Sequence, residues 1–280
     1  MKRELLFLTS VVIAGGLVIS AIAGQAAQQN TAPRQAPAPK WAKPTPVIPL
    51  FFREGWRQVT PIDESSGFDT ERPLTTAAVT NPNLELKIYD PLAKELPELQ
   101  KNPPRGSIPR DFSGSTCVQL AGYNQDPAPP QVLHGEPTDP PNLWTGACLK
   151  PIAVTLRDRN SFVDLTGLAK IRWVTRVSGF HVVRPVIRLA DGTYLVGEYG
   201  DGGASTNSTA FLESEFPIAP IRWFRLDIDR IVTRGTWVDR PDLTKVDEVG
   251  FADLLPGSGH GWGGFVNVSR IEVYGRPVKR

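Results

Sequence analysis

Apolar and polar side chains alternate along much of the chain after residue 48. In residues 164–177, Ile171, Trp173 and Val177 fall on one side of an extended chain, and basic residues fall on the other. This period of two indicates a half-buried β-strand, because successive side chains of a strand point to opposite faces of its sheet. Similar runs predict strands in the segments 49–56, 83–90, 150–158, 184–198, 211–218, 221–229, 246–254 and 266–275.

Two local signals add detail to this pattern. Asp191-Gly192 joins two alternating runs within residues 184–198. An Asp-Gly pair in this position predicts a tight hairpin turn in which the glycine has a positive φ. Nearer the C-terminus the apolar alternation slips by one residue, which predicts a β-bulge near Ser269 and Arg270.

The strand pattern decides the fold class. No stretch of residues 49–280 has a sustained apolar period of 3.6 residues, and Pro97 limits the one short helical run, 92–101, to a turn or two. About ten short strands separated by turn signals are typical of a two-sheet antiparallel jelly-roll sandwich. The long Pro-rich stretch 102–147 is a candidate part of any binding surface.

The N-terminal segment predicts export. Lys2 and Arg3 precede residues 5–23, nineteen residues without a charge. This length lies between that of a signal-peptide core, about 7–15 residues, and that of a membrane-spanning helix, about 20 residues. Residues 1–23 are therefore either a cleaved signal peptide or a retained inner-membrane anchor. In both cases the rest of the chain is expected in the periplasm or outside the cell.

A linker separates this segment from the predicted sandwich. Residues 24–48 are rich in Pro, Ala and Gln and lack apolar periodicity, which is typical of an extended tether. The sequence thus predicts three parts: the signal peptide or anchor 1–23, the linker 24–48 and the β-sandwich 49–280.

The distribution of charge argues against nucleic acid as a partner. The whole chain carries a net charge of +2, but residues 1–48 hold five of the 31 basic side chains and one of the 29 acidic ones. The predicted sandwich is therefore left with a slight acidic excess. A nucleic-acid-binding domain is expected to carry a basic face instead.

The only two cysteines, Cys117 and Cys148, predict a disulfide. An exported chain matures in an oxidising compartment, where paired cysteines are normally oxidised. The alternative, two thiolate ligands of a metal ion, would need further ligands at short spacing, and the sequence shows none there.

The glycine-rich stretch PGSGHGWGG, residues 256–264, matches the pattern G-x-G-x-x-G. In a dinucleotide-binding site that pattern follows a strand and opens a helix. Here the alternating run 266–275 follows instead, so the cofactor interpretation fails and the stretch is a connection between strands.

Several segments of the C-terminal half resemble a known family. The series DLTGLAKIRW, VIRLADGTYLVG, EFPIAPIRWFRLD, DLTKVDEVGFADLLPG and IEVYGRPV is similar to galactose-binding-like jelly rolls, the sandwich of many carbohydrate-binding modules. It also resembles a set of uncharacterised exported bacterial proteins. The likeness is strong over residues 164–278 and weak over 49–163. It implies a fold and a tendency to bind sugars or other proteins, and it transfers no catalytic residue.

Aromatic side chains outside the predicted core are the binding candidates. Trp262 and His260 lie in the glycine-rich stretch, Trp144 lies in the long Pro-rich stretch, and Trp223 shares a strand face with Arg225. Exposed aromatic rings stack on sugar rings and also anchor protein partners. The alternative is that these rings only pack against the sandwich.

Acidic residues suggest two further hypotheses. Glu198 and Asp201 in a Gly/Asp/Ser-rich loop are candidate calcium ligands, because calcium prefers oxygen donors, although a plain turn explains the loop as well. Carboxylates also recur two residues apart on two predicted strands, at Glu213/Glu215 and Asp227/Asp229. Paired carboxylates can cleave glycosidic bonds, and they also decorate ordinary solvent-facing strands.

These observations favour an exported binding module without catalytic activity that recognises glycan. The first alternative is an accessory subunit that binds protein partners on the outer face of a membrane complex. The second is a glycan-cleaving enzyme, for which the sequence offers no defined set of catalytic residues.

Overall fold

The computed structural model describes residues 47–57, 72–103, 115–122, 139–198, 210–255 and 264–280. The predicted signal peptide or anchor and almost all of the predicted linker lie outside these ranges. Within the described ranges, none of the helical segments has the length and apolar character needed to cross a bilayer.

The described residues form sixteen strands, one short α-helix and one 3-10 helix at Thr76–Ala78. The α-helix, α1 (Leu96–Lys101), has Pro97 in its first turn. The first eight strands are β1 (Leu50–Glu54), β2 (Arg72–Pro73), β3 (Leu84–Tyr89), β4 (Gln119–Ala121), β5 (Asn142–Trp144), β6 (Ile152–Asp158), β7 (Ser161–Asp164) and β8 (Lys170–Gly179). The remaining eight are β9 (Val183–Leu189), β10 (Tyr194–Gly197), β11 (Leu212–Pro217), β12 (Trp223–Asp227), β13 (Val232–Val238), β14 (Val246–Asp253), β15 (Gly264–Tyr274) and β16 (Arg276–Lys279).

The strands form two antiparallel sheets, which confirms the predicted all-β sandwich. The seven-stranded sheet has the order β11-β8-β15-β5-β4-β2, and β1 also pairs with β15. The nine-stranded sheet has the order β13-β12-β10-β9-β14-β6-β3, with β7 beside β14 and β16 beside β7. Non-consecutive strands are neighbours in both sheets, so long connections cross between the sheets as they do in a jelly roll.

The two local sequence signals are confirmed. Strands β9 and β10 form the predicted hairpin, and Gly192 in its turn has a φ of 88°. The register of β15 against β8 shifts between Val268 and Arg270, where the alternation of the sequence slips.

The core fills the space between the two sheets, because alternate side chains of each strand point inward. Trp173, which the alternation assigns to the core, is fully buried, and its ring lies 4.7 Å from that of Phe216. Phe251 of β14 and Trp223 of β12 belong to the same apolar cluster. Both sheets therefore contribute large rings to one continuous core.

The predicted disulfide is confirmed. Cys117 and Cys148 are bonded, with 5.0 Å between their Cα atoms, and both residues are buried. The backbone N–H of Cys117 donates a hydrogen bond of 2.9 Å to a carboxylate oxygen of Asp90. The disulfide therefore joins the segment before β4 to the segment after β5, and Asp90 ties that junction to the end of β3.

Candidate functional site

An open groove lies at the edge of the nine-stranded sheet, where β12 and β13 meet the segment that follows β13. Its volume is about 460 Å³, which lies within the range of about 300–1,000 Å³ that is usual for small-molecule sites. The residues that line it are Ala219, Pro220, Ile221, Arg222, Trp223, Trp237, Val238, Asp239, Arg240, Pro241 and Leu243.

The register of the β12–β13 hairpin decides which tryptophan faces outward. Trp223 pairs with Val238, and Phe224 pairs with Trp237. Paired residues of neighbouring strands share a face, and the next pair lies on the opposite face. Trp223 and Val238 therefore point towards the core, whereas Phe224 and Trp237 lie on the outer side of the sheet.

Trp237 stands at the centre of a stack of three side chains. Its ring lies 3.7 Å from that of Phe224, at an interplanar angle of 27°. The guanidinium carbon of Arg222 lies 3.6 Å from the centre of the same ring. At such short distances the two neighbours must occupy opposite faces of the indole. Arg222 is also ion-paired with Glu198, with 3.4 Å between the charged atoms.

The segment that follows β13 adds Asp239, Arg240 and Pro241 to the lining of the groove. Arg240 has a φ of 48°, a left-handed conformation that costs a non-glycine residue on the order of 1 kcal/mol. Proline in the next position fixes the path of the chain beyond it. The charged side chains of the lining are thus two arginines and one aspartate.

The expectation that Trp223 is exposed is wrong, and its binding role stays a prediction. Trp223 is only 2% exposed and packs in the main core, where it forms the floor of the groove. Leu226 is also buried, in a second apolar cluster on the other side of the sheet. Apolar residues on both faces of β12 are thus covered, so its alternation could not show which face meets the main core. Arg225, predicted beside Trp223, is exposed and does not line the groove.

The expectation that Trp144 is an exposed loop residue is also wrong. It lies on strand β5, in the middle of the seven-stranded sheet, and is 5% exposed. Its ring lies 6.1 Å from that of Phe265, and a side chain added at Gly146 would collide with it. Strand β5 was not predicted because it has only three residues and lies within the Pro-rich stretch 102–147.

The other sequence candidates lie partly outside the described residues. His260, Trp262 and Asp201 are not in the described ranges, so their predicted roles stay predictions. Glu198 is exposed and pairs with Arg222 at the rim of the groove. Across the ranges given above, there is no group of three or more His, Cys, Asp or Glu side chains arranged to hold a metal ion.

A second polar surface lies on the outer face of the nine-stranded sheet. The hydroxyl groups of Tyr89 and Tyr194 lie 2.7 Å apart, and the Tyr89 hydroxyl donates to Glu248 Oε2 at 2.8 Å. The Thr155 hydroxyl donates to the same oxygen at 2.6 Å. Burial, the hydrogen bond with Tyr194 and the negative charge of Glu248 all raise the pKa of Tyr89. Arg188 forms ion pairs with Glu248 and with the neighbouring Asp247.

This second surface is packed rather than open. Small apolar residues at its centre, Ala153, Val186, Val196 and Ala252, are at most 1% exposed. The carboxylate of Glu248 already accepts hydrogen bonds from its neighbours. The groove beside Trp237 is therefore the better candidate for ligand binding.

A buried polar chain near the end of β14 does not have the order of a nucleophilic triad. Asp253 Oδ2 lies 2.7 Å from Nδ1 of His181, and the Thr145 hydroxyl donates to the same oxygen at 2.9 Å. A nucleophilic hydroxyl would need to donate to the histidine, with the carboxylate on the far side. Here the carboxylate lies between the other two groups, so the arrangement suits a structural role.

The predicted carboxylate pair on β11 is occupied by cations. Glu215 pairs with Lys170 and Arg172, and Glu213 pairs with Arg172 and Arg270. These contacts form a ladder of charges across β11, β8 and β15 on the outer face of the seven-stranded sheet. Such a ladder is typical of a solvent-facing strand pair.

The sequence signal for the groove was weak. Arg222, Trp237 and Arg240 were not among the predicted site residues. Arg222 lies at the start of the predicted strand segment 221–229 but was not chosen as a candidate there. Trp237 lies on β13, which was not predicted as a strand. Its sequence, VTRGTWV, interrupts any alternation with Gly235, which has a φ of 72°. The sandwich positions these three side chains through pairing between strands, which a single sequence does not display.

Comparisons with known proteins give structural neighbours only. No family model and no curated protein matches the chain. Among solved structures, the chain is similar to the family 11 carbohydrate-binding module of cellulosomal cellulase Lic26A-Cel5E from Clostridium thermocellum, with a TM-score of 0.31, 15% identity, and coverage of 50% of this chain and 77% of that one. An exo-beta-agarase matches with a TM-score of 0.28, 10% identity, and coverage of 58% and 23% respectively. A protein from Bacteroides thetaiotaomicron proposed to bind sugar matches with a TM-score of 0.25, 12% identity, and coverage of 56% and 86%. The antiparallel sandwich itself is consistent with the jelly roll implied by the sequence resemblance.

Proposed function

We propose that this protein is an exported glycan-binding module that recognises its ligand in the groove beside Trp237. The observation that carries the proposal is an open groove that combines a partly exposed tryptophan with arginine and aspartate side chains. Sugars present an apolar C–H surface and a rim of hydroxyl groups. A site that recognises them needs apolar area together with hydrogen-bond donors and acceptors.

The groove supplies both kinds of contact. Trp237 is 39% exposed, and Ile221 and Pro241 extend the apolar lining. Arg222 and Arg240 offer hydrogen-bond donors, and Asp239 offers acceptors. Trp223 forms the floor and is held in the core, so the shape of the groove is largely formed before a ligand arrives.

Export is proposed from the sequence together with the disulfide. The uncharged stretch 5–23 follows two basic residues, and a disulfide suits an oxidising compartment. A Pro-rich tether would let a sandwich domain reach a polysaccharide at some distance from the membrane or from another domain.

The test is glycan binding by the full-length protein and by its Trp237→Ala variant. A glycan array would select a ligand, and calorimetry would then compare the dissociation constants. We expect the variant to bind at least about fivefold more weakly, since truncated aromatic anchors cost more than about 1 kcal/mol. Phe180→Ala is the matched control, because Phe180 is an aromatic residue that is 87% exposed and does not line the groove.

Trp262→Ala separates the groove from the glycine-rich stretch predicted as a binding loop. If Trp262→Ala abolishes binding and Trp237→Ala leaves it unchanged, the site lies in the stretch 256–264 and the groove proposal is wrong. If no glycan binds the wild-type protein, the proposed function is wrong altogether.

A specific observation favours protein binding as the second candidate function. Phe180 and Leu255 are exposed, and each lies within two residues of the His181–Asp253 contact, so both occur at the same end of the sandwich. An exposed apolar end can anchor a protein partner. An accessory subunit should lose its partner in a pull-down with Phe180→Ser and keep it with Trp237→Ala, the reverse of the pattern expected for glycan.

A further inference from the structure

We propose that the groove selects an acidic glycan and that Arg222 and Arg240 bind its anionic group, either a carboxylate or a sulfate ester. This inference rests on the proposed glycan-binding function and adds the chemical class of the ligand. It goes beyond the general expectation for an aromatic sugar site, in which a neutral sugar ring stacks on an open indole face.

The indole of Trp237 has no open face for such stacking. Phe224 covers one face at 3.7 Å and the Arg222 guanidinium covers the other at 3.6 Å. A neutral sugar would have to displace Arg222 before it could reach the ring. The edge of the indole and the in-plane N–H groups of the stacked guanidinium are therefore the contacts that a ligand meets first.

Stacking also prepares Arg222 to bind an anion. A guanidinium on an aromatic face keeps its N–H donors in the plane parallel to the ring, free to bind carboxylate or sulfate oxygens in pairs. Holding a long side chain in one orientation lowers the conformational entropy that binding would otherwise cost. Arg222 is thus a preorganised donor at the rim of the groove.

The existing partner of Arg222 can be exchanged for a ligand. Glu198 lies 3.4 Å away, and the two side chains are 65% and 45% exposed. Exposed ion pairs of this kind contribute little, typically 0–1 kcal/mol. An acidic sugar that brings its own apolar surface onto Ile221 and the edge of Trp237 can therefore replace Glu198 at the guanidinium.

Arg240 supplies the second positive charge of the groove lining. Among the residues that the structure describes, Arg240 has no ion-pair partner. Its backbone is held at a φ of 48° between the end of β13 and Pro241. Asp239 is the one acidic side chain of the described lining, and its oxygens suit sugar hydroxyls. The lining thus holds two arginines and one aspartate, and Glu198 at the rim balances Arg222 until an anionic ligand displaces it.

The experiment compares matched charged and neutral ligands on the full-length protein. Oligogalacturonate and its methyl ester differ only in the carboxylate, and a sulfated galactan and its desulfated form differ only in the sulfate. We expect one charged ligand to bind at least about tenfold more tightly than its neutral counterpart. Raising the salt concentration should weaken the binding of that charged ligand. The pair that shows the difference identifies the anionic group.

Charge variants assign the effect to the groove. Arg222→Gln and Arg240→Gln should each remove about tenfold of the preference for the charged ligand. Arg234→Gln is the matched control, because Arg234 is an exposed residue of the same β13 that does not line the groove. Melting temperatures of all variants exclude loss of folding as the cause.

The outcomes separate this inference from the proposed function. Equal binding of charged and neutral ligands, lost in Trp237→Ala, would overturn the acidic preference and leave the glycan-binding function in place. If Arg234→Gln and Arg222→Gln reduce the preference for the charged ligand equally, the attraction is diffuse and the acidic preference of the groove is also overturned. Binding of no glycan, charged or neutral, would overturn both.

Discussion

The carboxylate of Glu54 offers a sharp test of what holds the first strand in the sandwich. Glu54 ends β1 and is fully buried. Its Oε1 accepts hydrogen bonds from the backbone N–H of Trp56 at 2.9 Å and from both the N–H and the hydroxyl of Thr80 at 2.8 Å. Its Oε2 accepts from the N–H of Asn81 at 3.0 Å. One side chain thus joins β1 to the segment that leads into β3, and these strands belong to different sheets.

Replacing Glu54 by Gln keeps the shape but removes one acceptor. If the new amide group takes the position of Oε2, it presents a donor to the N–H of Asn81. A hydrogen bond to a charged group contributes about 1.5–3 kcal/mol, and an unsatisfied buried donor costs about 1–3 kcal/mol. The bonds that remain at the other oxygen also lose the charge. We expect a loss of about 3 kcal/mol, or about 6–12 °C in melting temperature for a domain of this size.

The assay is urea unfolding and scanning calorimetry of Glu54→Gln beside Glu85→Gln. Glu85 is the matched control, since its carboxylate is partly exposed and pairs with Lys87 on a strand surface. That variant should change stability by no more than about 0.5 kcal/mol. A loss of less than about 1 kcal/mol in Glu54→Gln, or equal losses in both variants, would refute the idea that this carboxylate fastens the two sheets.

Three further predictions follow from local structure. Replacing Cys117 and Cys148 together by Ala should destabilise the protein by about 3–4 kcal/mol, as expected for a loop of 31 residues. Alkylation of the unreduced wild type, read by mass spectrometry, should find no free thiol. Gly192→Val should cost about 1 kcal/mol or more because Gly192 has a φ of 88°, and an unchanged melting temperature would contradict this. The hydrogen bond from Lys170 lowers the pKa of Glu215. The ionised Glu215 carboxylate therefore stabilises the folded protein above a pH of about 4, and this contribution is lost as the pH falls below that value. Urea midpoints at pH 5 and pH 3 should differ less in Glu215→Gln than in the wild type.

Strands with one buried face could be predicted from the sequence. In β8, Ile171, Trp173 and Val177 are buried and the basic residues of the other face are half-buried, as their alternation in the sequence predicts. The turn at Gly192 and the bulge before Arg270 were also predictable. An Asp-Gly pair indicates the turn, and a one-residue shift in the apolar alternation indicates the bulge. These features depend on neighbours in the sequence.

Strands that are short or covered on both faces could not be predicted in this way. Strands β4 and β5 have three residues each and are buried throughout, so they show no alternation. In β12 the apolar residues of both faces are covered, so the alternation did not show that Trp223 faces the main core. Burial on both faces depends on the packing of distant segments, which a single sequence does not reveal.

The two tryptophans of the groove contribute to different properties, and this affects how variants there should be interpreted. Trp223 belongs to the main core as well as to the floor of the groove. Its truncation should cost about 3–5 kcal/mol of stability, so weak binding by a Trp223 variant would say little about recognition. Trp237 is 39% exposed and the Arg222 side chain 65% exposed, and neither belongs to the apolar clusters of the core. A change in affinity without a change in stability at those two positions is therefore the observation that identifies the groove as a binding site.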